Sequence, residues 1–180
     1  MFNKDWIVGF VEGEGSFCIG MHFAVFKKGN YKSLSSVFTP KFSIELHYKD
    51  LYILEEIRKF FNGAGKIWKS PANSLHYKKR NIKASDHYMY YVVGEQCEKI
   101  KIFFINNPLF SSKKVQFAVW CRIMDILKNK NLSYSKDDIL QIAKLRDEMS
   151  PNRRSSKYIN HQKILEIFNS KGKFLLEALE

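Results

Sequence analysis

Ile7-Val8-Gly9-Phe10-Val11-Glu12-Gly13-Glu14-Gly15 sets two glycines four residues apart in a short apolar run and follows them with two carboxylates at the exit. On a helix Gly9 and Gly13 fall on one stripe, where the missing side chains let a second backbone approach closely. Asn3 is placed to cap the helix start, and Asp5 suits its first turn. Gly15 suits a left-handed exit, so the helix should end at Glu14. A carboxylate at that end faces the negative pole of the helix dipole, a cost of about 0.3–1 kcal/mol unless a cation sits beside it. A metal ion would relieve the repulsion.

Downstream, Ser16 to Phe26 alternates, with Phe17, Ile19, Met21, Phe23 and Val25 on one side and Ser16, Cys18, Gly20, His22 and Ala24 on the other. That is the pattern of a half-buried strand. Lys27-Lys28-Gly29-Asn30 reads as a turn. A second strand repeats the alternation, with Phe38, Phe42, Ile44 and Leu46 facing one way and Thr39, Lys41, Ser43, Glu45 and His47 the other. Asp50 is expected to cap a helix to about Phe61 whose apolar stripe covers the sheet and leaves its polar face free. A short strand at 66–69, a basic loop from Ser70 to Ala84 and an aromatic strand from Tyr88 to Val93 follow. Helices are expected at 95–105, ending before Pro108, and at 114–130. Ser135 and Asp138 form a capping box for a helix to Met149. Short helices are expected at 161–168 and 174–180.

The nonapeptide resembles the signature of the LAGLIDADG homing endonucleases in their fungal and algal organellar style. Asp50-Leu51 with Leu54, Ile57, Phe60, Phe61 and Gly65, then Pro108-Leu109 before Lys113-Lys114, Trp120 and the Leu145 to Asn152 stretch fall in that family's order. The resemblance spans roughly the residues before Asn152 and implies an α+β fold of order α-β-β-α-β-β-α. In that fold a curved antiparallel sheet forms a DNA-binding saddle covered by helices. It makes 1–152 a single endonuclease domain and 153–180 a basic linker with a helical extension.

The resemblance carries metal binding onto Glu14 and a carbonyl ligand onto Gly13, with Mg2+ or Mn2+ as the cofactor. Glu12 is the family's other acidic position, serving the helix end and the dimer interface with Gly9 and Gly13. Lys113 matches the basic residue near the active site, where an ammonium polarises water or stabilises a leaving group; Lys114 is the alternative, one residue on. A single motif in this sequence, where monomeric members carry two, implies a homodimer that brings two Glu14 carboxylates to one axis. His47, at the strand end, is an outer-shell candidate or an ordinary sheet-end histidine.

A twisted antiparallel sheet can lie in the major groove and read base edges. The outward set is Ser16, Cys18, Gly20, His22, Thr39, Lys41, Ser43, Glu45, Lys66, Trp68 and Ser70. Tyr88 and Tyr90 extend it in one phase of their strand, Met89 and Tyr91 in the other. Lys27, Lys28, Lys32, Lys78, Lys79, Arg80, Lys83, Arg153 and Arg154 are expected mostly on phosphates.

Composition agrees with these partners. The 180 residues are 45% hydrophobic and 15% aromatic, enough for a core, and carry a formal charge of +12, which calls for a polyanion. With 24 Lys against six Arg, and with Ile, Asn, Phe and Tyr abundant, the residue choice follows A- and T-rich codons. An organellar origin, mitochondrial or chloroplast, with synthesis in place and no transit peptide, is the expectation. No apolar run reaches membrane-span length, so no membrane partner is expected. Cys18, Cys97 and Cys121 include no C-x-x-C pair, which argues against a zinc site or disulfide framework.

Other motifs fail. Gly13-x-Gly15 leaves a helix rather than a strand, and Gly63-Ala64-Gly65-Lys66 is followed by Ile67 where a P-loop needs Ser or Thr. The expected partners are double-stranded DNA, a second copy of the chain and, as a further class, group I intron RNA. The alternatives to site-specific double-strand cleavage with 3′ overhangs and intron mobility are an RNA-binding maturase and an inactive sequence-specific DNA-binding protein.

Overall fold

The computed structural model describes residues 2–28, 31–70, 87–129, 134–149 and 160–169. Helix α1 (Lys4–Glu14) runs directly into strand β1 (Gly15–Lys28), which precedes β2 (Tyr31–His47) and helix α2 (Leu51–Phe60). Strands β3 (Lys66–Ser70) and β4 (His87–Val93) follow, then helices α3 (Cys97–Asn106), α4 (Lys113–Asn129), α5 (Lys136–Glu148) and α6 (His161–Asn169). The four strands form one sheet in the order β1-β2-β4-β3, with β4 antiparallel to both β2 and β3. This is the expected α+β order. The loop carrying Lys78, Lys79, Arg80 and Lys83, the Arg153-Arg154 stretch, the Gly29-Asn30 turn tip and the helix expected at 174–180 lie outside the described residues.

The chain divides into two compact units: residues 1–17 with 40–114, and 18–39 with 115–180. In the first, the alternation of β1 and β2 buries Phe17, Phe42 and Ile44, while α2 contributes Leu54 and Ile57. Phe17 lies 5.2 Å from Phe42 and meets Phe104 of α3 edge-on at 5.7 Å between ring centroids. Such tilted and edge-on contacts suit the ring quadrupoles and add to the area buried. In the second unit Trp120, Ile123, Ile142 and Ile164 are fully buried, and the Trp120 indole donates to the Cys18 carbonyl at 3.1 Å. The C-terminal extension contributes α6 to this unit: Asp147 accepts from the His161 backbone N–H at 3.0 Å and meets its Nδ1 at 2.7 Å.

Local signals account for most element ends. Asn3 accepts from the Trp6 N–H at 2.8 Å, and Ser135 and Asp138 form the capping box expected of them. Two expectations need correction. Asp50 makes no side-chain cap bond; a short 3-10 turn over Tyr48–Asp50 precedes α2, and His47 Nδ1 accepts from Lys49 N–H at 3.3 Å. Gly15 is extended, at φ −72 and ψ 149, rather than left-handed. Because β1 begins at this residue, the chain needs a strand conformation, and glycine is required for another reason. A Cβ there would lie 2.5 Å from Val11 Cγ1 and 2.8 Å from the Val11 carbonyl oxygen.

Candidate active site

At the carboxyl end of α1 the two glutamates part company. Residues two apart on a helix point about 200° apart, so Glu12 and Glu14 leave on nearly opposite flanks. Glu12 turns towards the connection between α3 and α4. Its Oε1 accepts from the Phe110 N–H and, at 3.2 Å, from the Ser111 N–H, while the Ser111 hydroxyl donates to Oε2. Partial burial works against the charged form, but the Ser111 hydroxyl, the two backbone donors and the Lys113 charge together hold the Glu12 carboxyl below its ordinary value.

Glu14 is exposed, and among the described residues no hydrogen bond or ion pair engages its carboxylate. Helix geometry leaves the carbonyls of Glu12, Gly13 and Glu14 without intrahelical partners, since only Val11 O is reached, by the Gly15 N–H. Lys113, half-buried at the start of α4, donates from Nζ to the Gly15 carbonyl at 2.6 Å. Lys114 is exposed and contributes its backbone N–H to Ser111 O at 3.0 Å. Of the two candidate lysines, Lys113 is the one whose side chain reaches the helix end. The arrangement gathers a free carboxylate and backbone carbonyls, which suit a hard cation, beside an ammonium, which suits a phosphodiester. Among the described residues no three His, Cys, Asp or Glu cluster as a metal site within one chain.

Gly9 and Gly13 are both exposed, and a Cβ added at either meets nothing within 4 Å. Beside them runs an aromatic ladder absent from the expected site. Phe2 and Trp6 stack at 3.7 Å, and Trp6 and Phe10 at 4.7 Å, with all three rings half-exposed. The i, i+4 spacing of the three aromatics was the available signal.

On the sheet, the register fixes which side chains share the outward face. Ser43 pairs with Tyr91 and Tyr91 with Lys66; Glu45 pairs with Met89 and Met89 with Trp68. Tyr88 and Tyr90 therefore sit in the opposite phase, which corrects the expectation that they extend the outer face. Tyr90 is 0% exposed, its hydroxyl donates to Ala64 O at 2.9 Å, and burial pushes its phenol well above the ordinary value. Gly65, at φ +76, lets β3 approach there, since a Cβ would lie 2.5 Å from Tyr91 O.

Tyr91 instead stacks on Trp68 at 5.3 Å, with Lys41 Nζ 5.7 Å from its ring centroid. Ser16, Glu45, Lys66 and Trp68 are exposed, and Cys18, Gly20, Thr39, Lys41 and Ser43 are partly so. The side chains of His22 and Ser70 lie outside the described ones. His47 is engaged in the 3-10 turn and packs 4.4 Å from Tyr48 and 5.8 Å from His87. A concavity of about 510 Å³ lined by Glu55, Arg58, Lys59, Gly63 and Ile67 holds none of the candidate residues.

Residues 7–124 match the family model described as LAGLIDADG endonuclease. An uncharacterized 50.9 kDa protein in ND4 intron 1 of Podospora anserina is 30% identical over 125 residues, 69% of this chain and 24% of that protein, so the chain spans about a quarter of that relative's length. The crystal structure of the homing endonuclease I-TnaI matches with a TM-score of 0.68 at 26% identity, over 94% of this chain and 97% of that one. I-SmaMI, bound to uncleaved DNA target in the presence of calcium ions, matches with a TM-score of 0.68 at 25% identity, over 94% of this chain but 49% of its own. The archaeal intron-encoded homing endonuclease I-Vdi141I, complexed with DNA, shares the fold at 22% identity with a TM-score of 0.64, over 93% of this chain and 94% of that one.

Proposed function

The chain belongs to the LAGLIDADG endonuclease family, and from that premise we propose that it is a homodimeric, divalent-metal-dependent homing endonuclease. It cuts both strands of a long, nearly palindromic DNA target, leaves 3′ overhangs and promotes the mobility of its own intron. The observation that carries this reading is the free Glu14 carboxylate at the end of α1, one residue before the carbonyl that Lys113 engages.

The donor set fits magnesium or manganese: oxygen atoms from Glu14 and the Gly13 carbonyl, with neither thiol nor imidazole. A divalent ion bound there would supply an activated water and would neutralise charge developing on the scissile phosphate. Glu14 would hold the ion, and Lys113 would offer a fixed ammonium towards the attacking water or the departing oxygen. The Trp68–Tyr91 shelf and its polar neighbours supply donors, acceptors and apolar surface for base edges.

Homodimerisation rests on α1. One chain brings a single Glu14, whereas each DNA strand needs its own carboxylate. The open Gly9–Gly13 stripe and its half-exposed aromatic ladder give a second α1 room to pack closely. An organellar origin is supported by the Podospora relative in an ND4 intron.

The test is to incubate purified protein with a plasmid library, with magnesium and with a chelator, and to sequence the new ends. The expected outcome is one recurrent target cut on both strands with 3′ overhangs, and no ends in chelator. Tight binding of a group I intron RNA with no DNA ends under any metal would replace the endonuclease by a maturase.

A further inference from the structure

Helix α4 opens in an unusual way: Lys113 and Lys114 occupy its first turn, which contains no acidic residue. Two cations at the positive pole of a helix are unfavourable, and the N–H groups there need acceptors. Glu12 of α1 supplies the negative charge, and Ser111, which Glu12 holds, supplies the acceptors. Glu12 accepts from the Phe110 and Ser111 N–H groups in the segment leading into α4 and from the Ser111 hydroxyl, while within the first turn the Ser111 Oγ accepts from Lys113 N–H at 3.1 Å and the Ser111 carbonyl from Lys114 N–H at 3.0 Å. The circuit closes where Lys113 Nζ reaches the Gly15 carbonyl at 2.6 Å.

Resting on the endonuclease reading, we infer that Glu12 is a positioning residue: through Ser111 it fixes the first turn of α4 so that the Lys113 ammonium is held at the carboxyl end of α1. The two motif glutamates then divide the labour. Glu14 stays free for the reaction, and Glu12 is committed to placing the residue that assists it. A lysine side chain is long and gives up much rotamer freedom when held at one point, so its backbone must be fixed if the ammonium is to be preorganised. Glu12 does this without touching the reacting atoms.

The experiment compares the unmodified protein with Glu12→Ala, Glu12→Gln, Lys113→Met and the double variant Glu12→Ala/Lys113→Met in single-turnover cleavage of the mapped target. Glu12→Ala should slow cleavage by about 10²-fold, the scale of a misplaced catalytic group, with DNA affinity unchanged within about threefold. Glu12→Gln keeps an acceptor for both backbone N–H groups and should recover most of the loss. Because Glu12 acts through Lys113, the double variant should be no slower than Lys113→Met alone.

A second readout needs no activity: the acetylation rate of the Lys113 amine in the free protein, followed by mass spectrometry, should rise in Glu12→Ala. If Glu12→Ala does not fold, Ser111→Ala, which deletes the hydroxyl between Glu12 and Lys113, carries the same comparison. Multiplicative losses in the double variant, or Lys113 reactivity indifferent to Glu12, would overturn the inference. Unmodified protein that cuts nothing, while Glu12 still governs Lys113 reactivity, would remove the endonuclease reading and leave the positioning link intact.

Discussion

Lys113 Nζ donates to the Gly15 carbonyl oxygen at 2.6 Å across 98 positions of sequence. That bond ties the start of α4 to the residue on which the chain leaves the glycine-rich helix and sets a cation near its negative pole.

The chemistry separates the two residues at that end. Glu14→Gln keeps shape and hydrogen bonding but removes the metal-binding charge, so cleavage should fall by at least about 10²-fold while DNA binding persists. Lys113→Met should slow cleavage by about 10²–10⁴-fold, the range of an acid–base or charge-stabilising group, with little change in affinity. Single-turnover kinetics beside gel-shift titration measures both. Near-normal cutting by Glu14→Gln would place the metal elsewhere, and a large affinity loss in Lys113→Met would make that lysine a phosphate clamp.

The sheet register gives a contrast between neighbours in sequence. Tyr90→Phe removes one buried hydrogen bond to Ala64 and should cost about 0.5–1.5 kcal/mol of stability with no effect on DNA affinity. Trp68→Ala removes an exposed ring from the outer face and should weaken DNA binding with little effect on stability. Denaturant unfolding and gel shifts on both variants check the assignment. If Tyr90→Phe changed the DNA affinity and Trp68→Ala did not, the two faces would be exchanged.

How far these features were legible beforehand depended on the range of the interaction that sets them. The Asn3 cap, the Ser135–Asp138 capping box and the stop before Pro108 are decided within a few residues, and all could be read in the chain. The phase of β4 could not, because Tyr88 to Val93 is apolar or aromatic throughout and only pairing with Ile44 and Ile67 tells Tyr90 to point inward. Gly15 is the helix exit for a reason its sequence neighbours do not show: the strand that follows demands extended backbone, and Val11 is what excludes a side chain. The tie from Glu12 to Ser111 spans 99 positions, and no pattern in the sequence marks where that connection folds back.

Acid should expose the same tie. The Glu12 carboxyl is held below its ordinary value near 4.5, so the native state binds fewer protons there than the unfolded chain does. Its contribution to stability is therefore complete above about pH 4.5 and is lost as pH falls through the lower folded value. The stability difference between the unmodified protein and Glu12→Gln should be constant near neutrality and shrink below that pH. Urea unfolding across pH 3–7 measures it, and a difference that grew on acidification would reverse the sign.

Gly15→Ala tests the close approach at the helix exit. A Cβ would meet the side chain and carbonyl of Val11, both in the rigid last turn of α1, and relief requires the helix end to move. Overpacking of this kind costs about 1–3 kcal/mol. Since Lys113 is bonded to this residue's carbonyl, the shift should also slow cleavage per folded molecule. Thermal unfolding alongside single-turnover kinetics distinguishes the variant from one that merely folds less well.

Gly9→Leu poses the opposite case and bears hardest on the mechanism. Within one protomer the position is open, with nothing within 4 Å of an added Cβ, and an exposed helical glycine replaced by leucine gains up to about 1 kcal/mol in helix propensity. The isolated fold should be no less stable. In a dimer packed through the Gly9–Gly13 stripe, however, the new side chain projects where the partner's backbone must come. Association should therefore fail and double-strand cleavage be lost, although Glu14 and Lys113 are untouched. Sedimentation and thermal unfolding on the same preparation decide it. Dimers that survive in Gly9→Leu, or unmodified 21.2 kDa monomers making double-strand breaks with first-order dependence on protein, would move the interface away from α1.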